Sequence, residues 1–167
     1  MFVKFFYILL IVCLMIAALA CGKKAEEEVR KEQTVANQPL PNDAFKAQIS
    51  VENAPSSLKA NSILNLKLKV KNISNTSWPS LGQSDGKYII HLGYHWLDKN
   101  GKAIIFEGRR TPLPRDLKPN EEIILNASIG TPEERGEYIL ELDMVQETVA
   151  WFRDKGSKTM DIPIKVE

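Results

Sequence analysis

Apolar and polar residues alternate along several stretches of the chain, which is the pattern of strands with one buried face. In the clearest stretch, residues 64–70, leucine or valine stands at every second position with asparagine or lysine between. The same spacing recurs at 88–98, 123–129 and 138–144. No segment of this region shows a helical period, so the pattern predicts antiparallel β-structure.

Residues typical of tight turns lie between some of these stretches. The Asn-Gly pair at Asn100-Gly101 accepts the positive φ of a tight turn, which predicts a hairpin between strands 88–98 and 102–107. Residues 45–52 and 160–166 supply the first and last strands. Roughly seven to nine short strands predict an all-β domain over residues 45–167, folded as an antiparallel β-sandwich.

Two residues narrow this to an immunoglobulin-like sandwich. Trp96 lies on a central strand and is expected to face the core. Tyr138 follows a turn in the sequence Gly136-Glu-Tyr-Ile-Leu, where a tyrosine corner would close its hydroxyl onto the preceding loop. The cysteine pair of antibody domains is absent from residues 45–167, so apolar packing has to stabilise this domain.

The N-terminus has a different composition. Residues 5–20 are an unbroken apolar run behind the single charge of Lys4, and small residues precede Cys21. This run is shorter than the roughly 20 residues that span a bilayer with ease. Residues 1–20 therefore predict a cleaved signal peptide.

Cys21 then becomes the first residue of the exported chain, which resembles the lipobox of bacterial lipoproteins. The resemblance implies that the Cys21 thiol is acylated and anchors the protein in the cell envelope. Gly22 in place of aspartate suggests the outer membrane where the cell has one. Because Ala18-Leu19 inverts the usual order, ordinary signal cleavage with a free thiol stays open.

Residues 21–44 read as a flexible tether behind the lipidated cysteine. They are rich in charge, proline and asparagine, and they hold too little apolar surface to offset the entropy of ordering. A short helix over 24–33, supported by pairs such as Glu26–Arg30, is the alternative.

Charge and cysteine counts exclude several classes of function. The chain has 22 basic and 21 acidic residues, and removing residues 1–20 leaves 21 of each. A neutral chain lacks the basic excess that nucleic-acid backbones require, so we expect no nucleic-acid partner. Two cysteines and two histidines are too few for a disulfide framework or a His-rich metal centre, and no motif indicates a cofactor.

Three runs carry a more specific resemblance: Tyr94–Asp98, Arg110–Asp116 and Glu141–Phe152. Over roughly residues 60–166, the chain resembles an immunoglobulin-like accessory module appended to bacterial polysaccharide glycosyltransferases and other cell-envelope proteins. The resemblance implies an association with glycans and no catalytic activity.

The loop 108–116 is the richest candidate binding segment. Arg109, Arg110 and Arg115 offer planar donor forks for carboxylates, phosphates or sugar hydroxyls. The alternative, which we favour, is a structural crossover whose arginines pair with Asp116, Glu107 or Asp143.

Three aromatic residues form a second set of candidates. Exposed, Trp151, Phe152 and Trp78 would stack on sugar faces or anchor a protein partner. Buried, they would close the ends of the sandwich, which is the usual place of large aromatic rings in a small domain.

His91 and His95 share one face of their strand. Four residues along a strand span about 13 Å, too far for both rings to bind one metal ion. We expect His91, Gly93 and His95 to lie beside Glu141 and Asp143 on an outward face. That face is either a pH-sensitive contact surface or, as we favour, an ordinary solvated one.

These observations predict a lipid-anchored, non-enzymatic envelope protein that binds or scaffolds at the cell surface, with polysaccharide as the first ligand to test. A protein–protein adaptor is the alternative, and it needs an exposed apolar patch or an unprotected edge strand. A hydrolase would need two acids converging in a cleft, and the sequence contains no Gly-x-Ser-x-Gly elbow, phosphate loop or His-Glu-x-x-His motif.

Overall fold

The computed structural model describes residues 38–167. Within them the chain forms ten strands: β1 Ala47–Val51, β2 Ser57–Leu58, β3 Ile63–Asn72, β4 Ile90–Asp98, β5 Ala103–Ile105, β6 Thr111–Pro112, β7 Glu122–Gly130, β8 Gly136–Gln146, β9 Ala150–Trp151 and β10 Met160–Val166. Two 3₁₀ turns, Asn42–Ala44 and Arg153–Lys155, complete the regular structure of this region.

The strands form two sheets. The smaller sheet has the order β1-β3-β7, and the larger has the order β2-β10-β8-β4-β5, with β6 added to β4 and β9 to β8. All pairings are antiparallel except the short one between β2 and β10. This is an immunoglobulin-like β-sandwich, so the predicted fold class is confirmed.

The alternating residues fill the space between the two sheets. On β3, Leu66, Leu68 and Val70 are buried while the lysines between them point away from the core. The larger sheet contributes the opposite side, with Leu92, Trp96, Leu140, Leu142, Met144, Ile162 and Ile164 among its buried residues. The core therefore lies between the strand faces that the period-two alternation predicts to be buried.

Trp96 and Tyr138 take the predicted positions. Trp96 is fully buried, and its indole N–H donates to the carbonyl of Gly130 at 2.7 Å. The Tyr138 hydroxyl donates to the carbonyl of Glu134 at 3.0 Å, which is the closure expected of a tyrosine corner. These two bonds tie the larger sheet to the end of β7 and to the loop that follows it.

The predicted hairpin turn joins β4 and β5. Gly101 has φ +81°, a conformation that glycine adopts without steric cost, and its N–H donates to the Asp98 carbonyl at 2.9 Å. The Asp98 carboxylate also accepts the backbone N–H groups of Asn100 and Lys102. The turn therefore forms through both its glycine and its aspartate.

The packed region begins earlier than the sequence suggests. Leu40 and Ala44, which the sequence assigns to the tether, are buried in the core. The Leu40 N–H donates to Oε1 of buried Gln146 at 2.9 Å, and Nε2 of Gln146 donates to the carbonyls of Gln38 and Tyr88. The Gln146 side chain supplies hydrogen-bond partners to residues 38–40, which have no strand beside them. The packed domain therefore begins before residue 45, the boundary that the sequence predicts.

The predictions for the signal peptide at 1–20, for Cys21 and for the tether up to residue 37 lie outside the described residues. Among residues 38–167, no helix is long and apolar enough to cross a bilayer.

Replacing Tyr138 by phenylalanine should remove the corner hydrogen bond while keeping the ring. We expect the free energy of unfolding to fall by about 1 kcal/mol, the usual net contribution of one such bond. Urea denaturation followed by circular dichroism measures this. An unchanged unfolding midpoint would show that the bond to Glu134 contributes nothing.

Candidate functional site

The outward face of β4 and β8 carries the polar residues that the sequence places side by side. His95 lies opposite Glu141 and Gly93 opposite Asp143, as predicted. This face is not solvated, however, because His95 and Asp143 are fully buried and Glu141 is 6% exposed. The interpretation as an ordinary solvated sheet face is therefore wrong, since a second layer of chain covers it.

Trp151 forms the centre of this cover. It lies on β9, which folds back against the end of β8 and pairs Trp151 with Val145. The indole lies directly on the backbone of Gly93, where an added Cβ would come within 2.6 and 2.8 Å of two ring carbons. Glycine at position 93 is thus a steric requirement for the cover.

Phe106, in the segment after β5, forms the second part of the cover. Its ring centroid lies 4.6 Å from that of His95 and 5.9 Å from that of Trp151. The His95 and Trp151 rings lie 4.1 Å apart. Three rings thus form one cluster on the outside of the larger sheet, and Phe106 is its exposed member, at 45%.

Asp143 is a buried carboxyl beneath this cover. Its two oxygens accept the backbone N–H groups of Met144 at 2.8 Å and Arg153 at 3.1 Å. Burial disfavours the charged form more than these bonds favour it, and nearby Glu141 adds to the effect, so the pKa of Asp143 rises to about 7. Asp143 is therefore partly protonated near neutral pH.

Glu141 and Arg153 form an ion pair at the edge of the cover. The Glu141 side chain is 8% exposed and that of Arg153 37% exposed, so the pair runs from the buried face to solvent. Arg153 stands at the start of the second 3₁₀ turn, directly after the buried Phe152. This pair compensates the charge of Glu141, whereas the donors to Asp143 among residues 38–167 are backbone N–H groups alone.

His95 contributes one hydrogen bond from its buried ring. Nδ1 bonds to the backbone carbonyl of Phe106. A carbonyl only accepts, so Nδ1 carries the proton, and Nε2 is buried without a hydrogen-bond partner among residues 38–167. Burial lowers the pKa of His95, more than the bond to Phe106 and the charge of Glu141 raise it. The ring is therefore neutral.

Arg110 closes the other side of the cluster. Its guanidinium carbon lies 4.5 Å from the Trp151 ring centroid, a cation–π contact. Its Nε donates to Glu147 at 2.8 Å, it also pairs with Glu107, and a further N–H donates to the Gly108 carbonyl. We call the exposed surface of Phe106, Glu107 and Arg110 the Phe106 platform.

The predicted candidate residues do not converge on one site. Trp78 and Phe152 are fully buried and pack edge-to-face at 5.0 Å, so neither ring can stack on a ligand. Trp151 is 6% exposed and supports the platform from below. For all three aromatic residues, the structure takes the buried alternative.

The three arginines of loop 108–116 have different surroundings. Arg110 belongs to the platform and pairs with Glu107, as the structural alternative predicts. Arg115 instead pairs with Glu121 and donates to the Asp116 carbonyl. Arg109 is exposed. The loop is therefore largely a structural crossover.

Phe106 is not among the candidate residues that the sequence singles out. It lies directly after β5, a strand too short for alternation to show which side chains face the core. Its only sequence signal is an aromatic ring next to the arginine-rich loop. Two shallow concavities of about 390 and 440 Å³ lie elsewhere, the first beside Ser50 and Lys67 and the second beside Pro163. Within residues 38–167, no three His, Cys, Asp or Glu side chains are placed to hold a metal ion.

No protein-family model and no curated protein matches the chain. Solved structures do match. The CARDB domain of a Pyrococcus furiosus protein is similar in its solution structure at 18% identity and TM-score 0.42, over 72% of this chain and 92% of that one. Its crystal structure, described as a complex with di-metal ions, matches at 17% identity and TM-score 0.44, over 73% and 86%.

Longer proteins match through one domain. The sporulation control protein Spo0M from Bacillus subtilis matches at 13% identity and TM-score 0.44, over 73% of this chain and 49% of that one. A mutant β-glucosidase from Listeria innocua, in complex with laminaribiose, matches at 11% identity and TM-score 0.46, with only 16% of its length covered. At these identities the likeness concerns the fold alone.

Replacing Asp143 by asparagine should change how stability depends on pH. With its pKa raised to about 7, Asp143 binds a proton in the folded state that the unfolded chain releases near pH 4. Its stabilising contribution is thus complete below about pH 4 and is lost as pH rises through 7.

We expect the stability of the native protein to fall, relative to Asp143→Asn, by on the order of 2 kcal/mol between pH 5 and pH 8. Urea denaturation of both proteins across this range gives the difference between their free energies of unfolding. His95 is present in both proteins, so its opposite contribution cancels in this difference. Parallel stability curves would contradict the raised pKa.

Proposed function

We propose that this protein is a non-enzymatic binding module of the cell envelope, and that its Phe106 platform binds polysaccharide. The observation that carries the proposal is a half-exposed aromatic ring on a rigid, buried support. Phe106 rests on His95 and faces Trp151, so little freedom is lost when a sugar ring stacks on it.

The polar groups beside the ring suit the same ligand class. Glu107 and Arg110 flank Phe106, and Arg110 is fixed by its bonds to Glu147 and the Gly108 carbonyl. Sugar hydroxyls both donate and accept, so a carboxylate and a guanidinium beside an aromatic face offer them complementary partners. The platform is open rather than enclosed, which fits a polymer better than a small molecule.

The acids of this region do not favour hydrolysis. Glu141 and Asp143 both lie on β8, and both are buried beneath Trp151 and Arg153 rather than set in an open cleft. The burial of both acids supports a role in binding over one in catalysis.

A protein–protein adaptor remains the second candidate function, and one observation favours it. Strand β7 is nine residues long and lies at the edge of the smaller sheet, with no strand paired on its far side among residues 38–167. Ile124 on this strand is 57% exposed. Such an edge accepts an added strand from a partner.

Phe106→Ala tests the polysaccharide proposal. The full-length protein in mild detergent is run by affinity electrophoresis through gels that contain surface polysaccharide of the source organism. We expect the native protein to be retarded in a saturable way and Phe106→Ala to bind about tenfold more weakly, the equivalent of about 1.4 kcal/mol of lost stacking.

Ile104→Ala is the matched control, because Ile104 is a 52% exposed apolar residue of β5, two positions before Phe106 and outside the platform. It should bind like the native protein. If the native protein is not retarded while circular dichroism shows a folded domain, polysaccharide binding is excluded and cross-linking at β7 becomes the next experiment.

We also propose that Cys21 anchors the module through an acyl group. The support is the sequence alone: the apolar run 5–20, the small residues before Cys21, and the charged segment after it.

Cys21→Ser should abolish incorporation of radiolabelled palmitate in a bacterial host and release the protein from the membrane fraction. Ordinary signal cleavage predicts a different result for the native protein, namely no label and a Cys21 thiol that reacts with a maleimide. That second result would overturn the anchor.

A further inference from the structure

We infer that His95 is the positioning residue of the Phe106 platform: as a neutral ring it holds Phe106 in place, and its protonation opens the cover. The inference concerns the regulation of the surface named in the proposed function, and it rests on that function only for the ligand that would sense the change.

His95 makes two of the contacts that hold Phe106. Its Nδ1–H donates to the Phe106 carbonyl, and its ring lies under the Phe106 ring at 4.6 Å and 31°. Phe106 lies just beyond β5, and the chain rejoins β4 only at Gly108, whose N–H donates to the Tyr94 carbonyl at 3.0 Å. Between these points His95 fixes the backbone.

Protonation of His95 adds a hydrogen to Nε2, the buried ring nitrogen that has no hydrogen-bond partner among residues 38–167. A buried donor with no acceptor costs free energy, and the cost is higher for a charged group. Movement of the Phe106 or Trp151 ring away from His95 would admit water to this atom. The proton therefore favours the open cover.

Within residues 38–167, each charged group near His95 already has a partner of its own. From β8, Glu141 is paired with Arg153 of the 3₁₀ turn, and Asp143 accepts two backbone N–H groups. From the covering segment, Glu107 is paired with Arg110. The remaining groups at this face, His91 of β4 and Glu147 at the end of β8, are bonded to each other.

The direction of the pH effect follows. Burial holds the pKa of His95 below its ordinary value near 6.5 in the closed state. The closed state is therefore fully favoured above about pH 6.5, and this advantage is lost as pH falls through the lowered pKa. Asp143 faces the same covered space and acts in the opposite direction, because its raised pKa favours the covered state as pH falls.

Two variants separate holding from titration. His95→Asn keeps an N–H donor near the position of Nδ1 but cannot be protonated, whereas His95→Ala removes the donor. Acrylamide quenching of tryptophan fluorescence, without any ligand, reports the cover. Trp78 and Trp96 are fully buried, so a change in quenching reports Trp151.

In the full-length native protein, we expect quenching to rise and affinity for surface polysaccharide to fall between pH 7.5 and pH 5, by at most about tenfold per pH unit, as a single proton requires. His95→Asn should lose both the rise in quenching and the fall in affinity, and should keep only the opposite contribution of Asp143. His95→Ala should show high quenching and weak binding at every pH.

The inference is overturned if His95→Asn keeps the native pH dependence, or if native quenching does not change with pH. The quenching profile also separates the two proposals. A native protein that binds no polysaccharide, yet shows quenching that rises in acid and no longer rises in His95→Asn, would refute the ligand and confirm the role of His95.

Discussion

The outer face of the larger sheet depends on the contact between Trp151 and the bare backbone of Gly93. An indole can lie this close to a strand only where there is no Cβ, since one at position 93 would come within 2.6 Å of the ring. With Trp151 seated, His95 and Asp143 lose access to solvent, and Phe106 and Arg110 gain a surface to pack on. One missing methyl group thus allows a third layer on a two-layer fold.

Burial by this layer changes the electrostatics of the strands beneath it. The pKa of Asp143 rises and that of His95 falls, both because water is excluded from the charged form. Glu141 stays satisfied because Arg153 reaches in from the turn that follows Trp151. The same tight return of the chain therefore both buries the carboxyls and supplies the cation for one of them.

Neighbouring residues in this return have opposite roles. Trp151 packs on the outside of the larger sheet, while Phe152 enters the core beside Phe45 and Trp78. Phe152 is fixed by its N–H bond to the Met144 carbonyl at 2.8 Å, so the inner aromatic residue holds the outer one in place. The platform is in this way linked to the main hydrophobic core rather than resting loosely on the surface.

The sequence by itself determined the fold class, the seven strands of three or more residues, the inward place of Trp96 and the corner of Tyr138. Alternation fixes which side chains share a face, and turn residues fix where strands reverse, so both can be predicted locally. It also placed His91, Gly93 and His95 beside Glu141 and Asp143 on one face. Only the tertiary structure decided that this face is covered, that Phe106 is the exposed ring, and that Leu40 belongs to the core. Those outcomes depend on segments distant in sequence coming together, and no local pattern states what will pack on the far side of a strand.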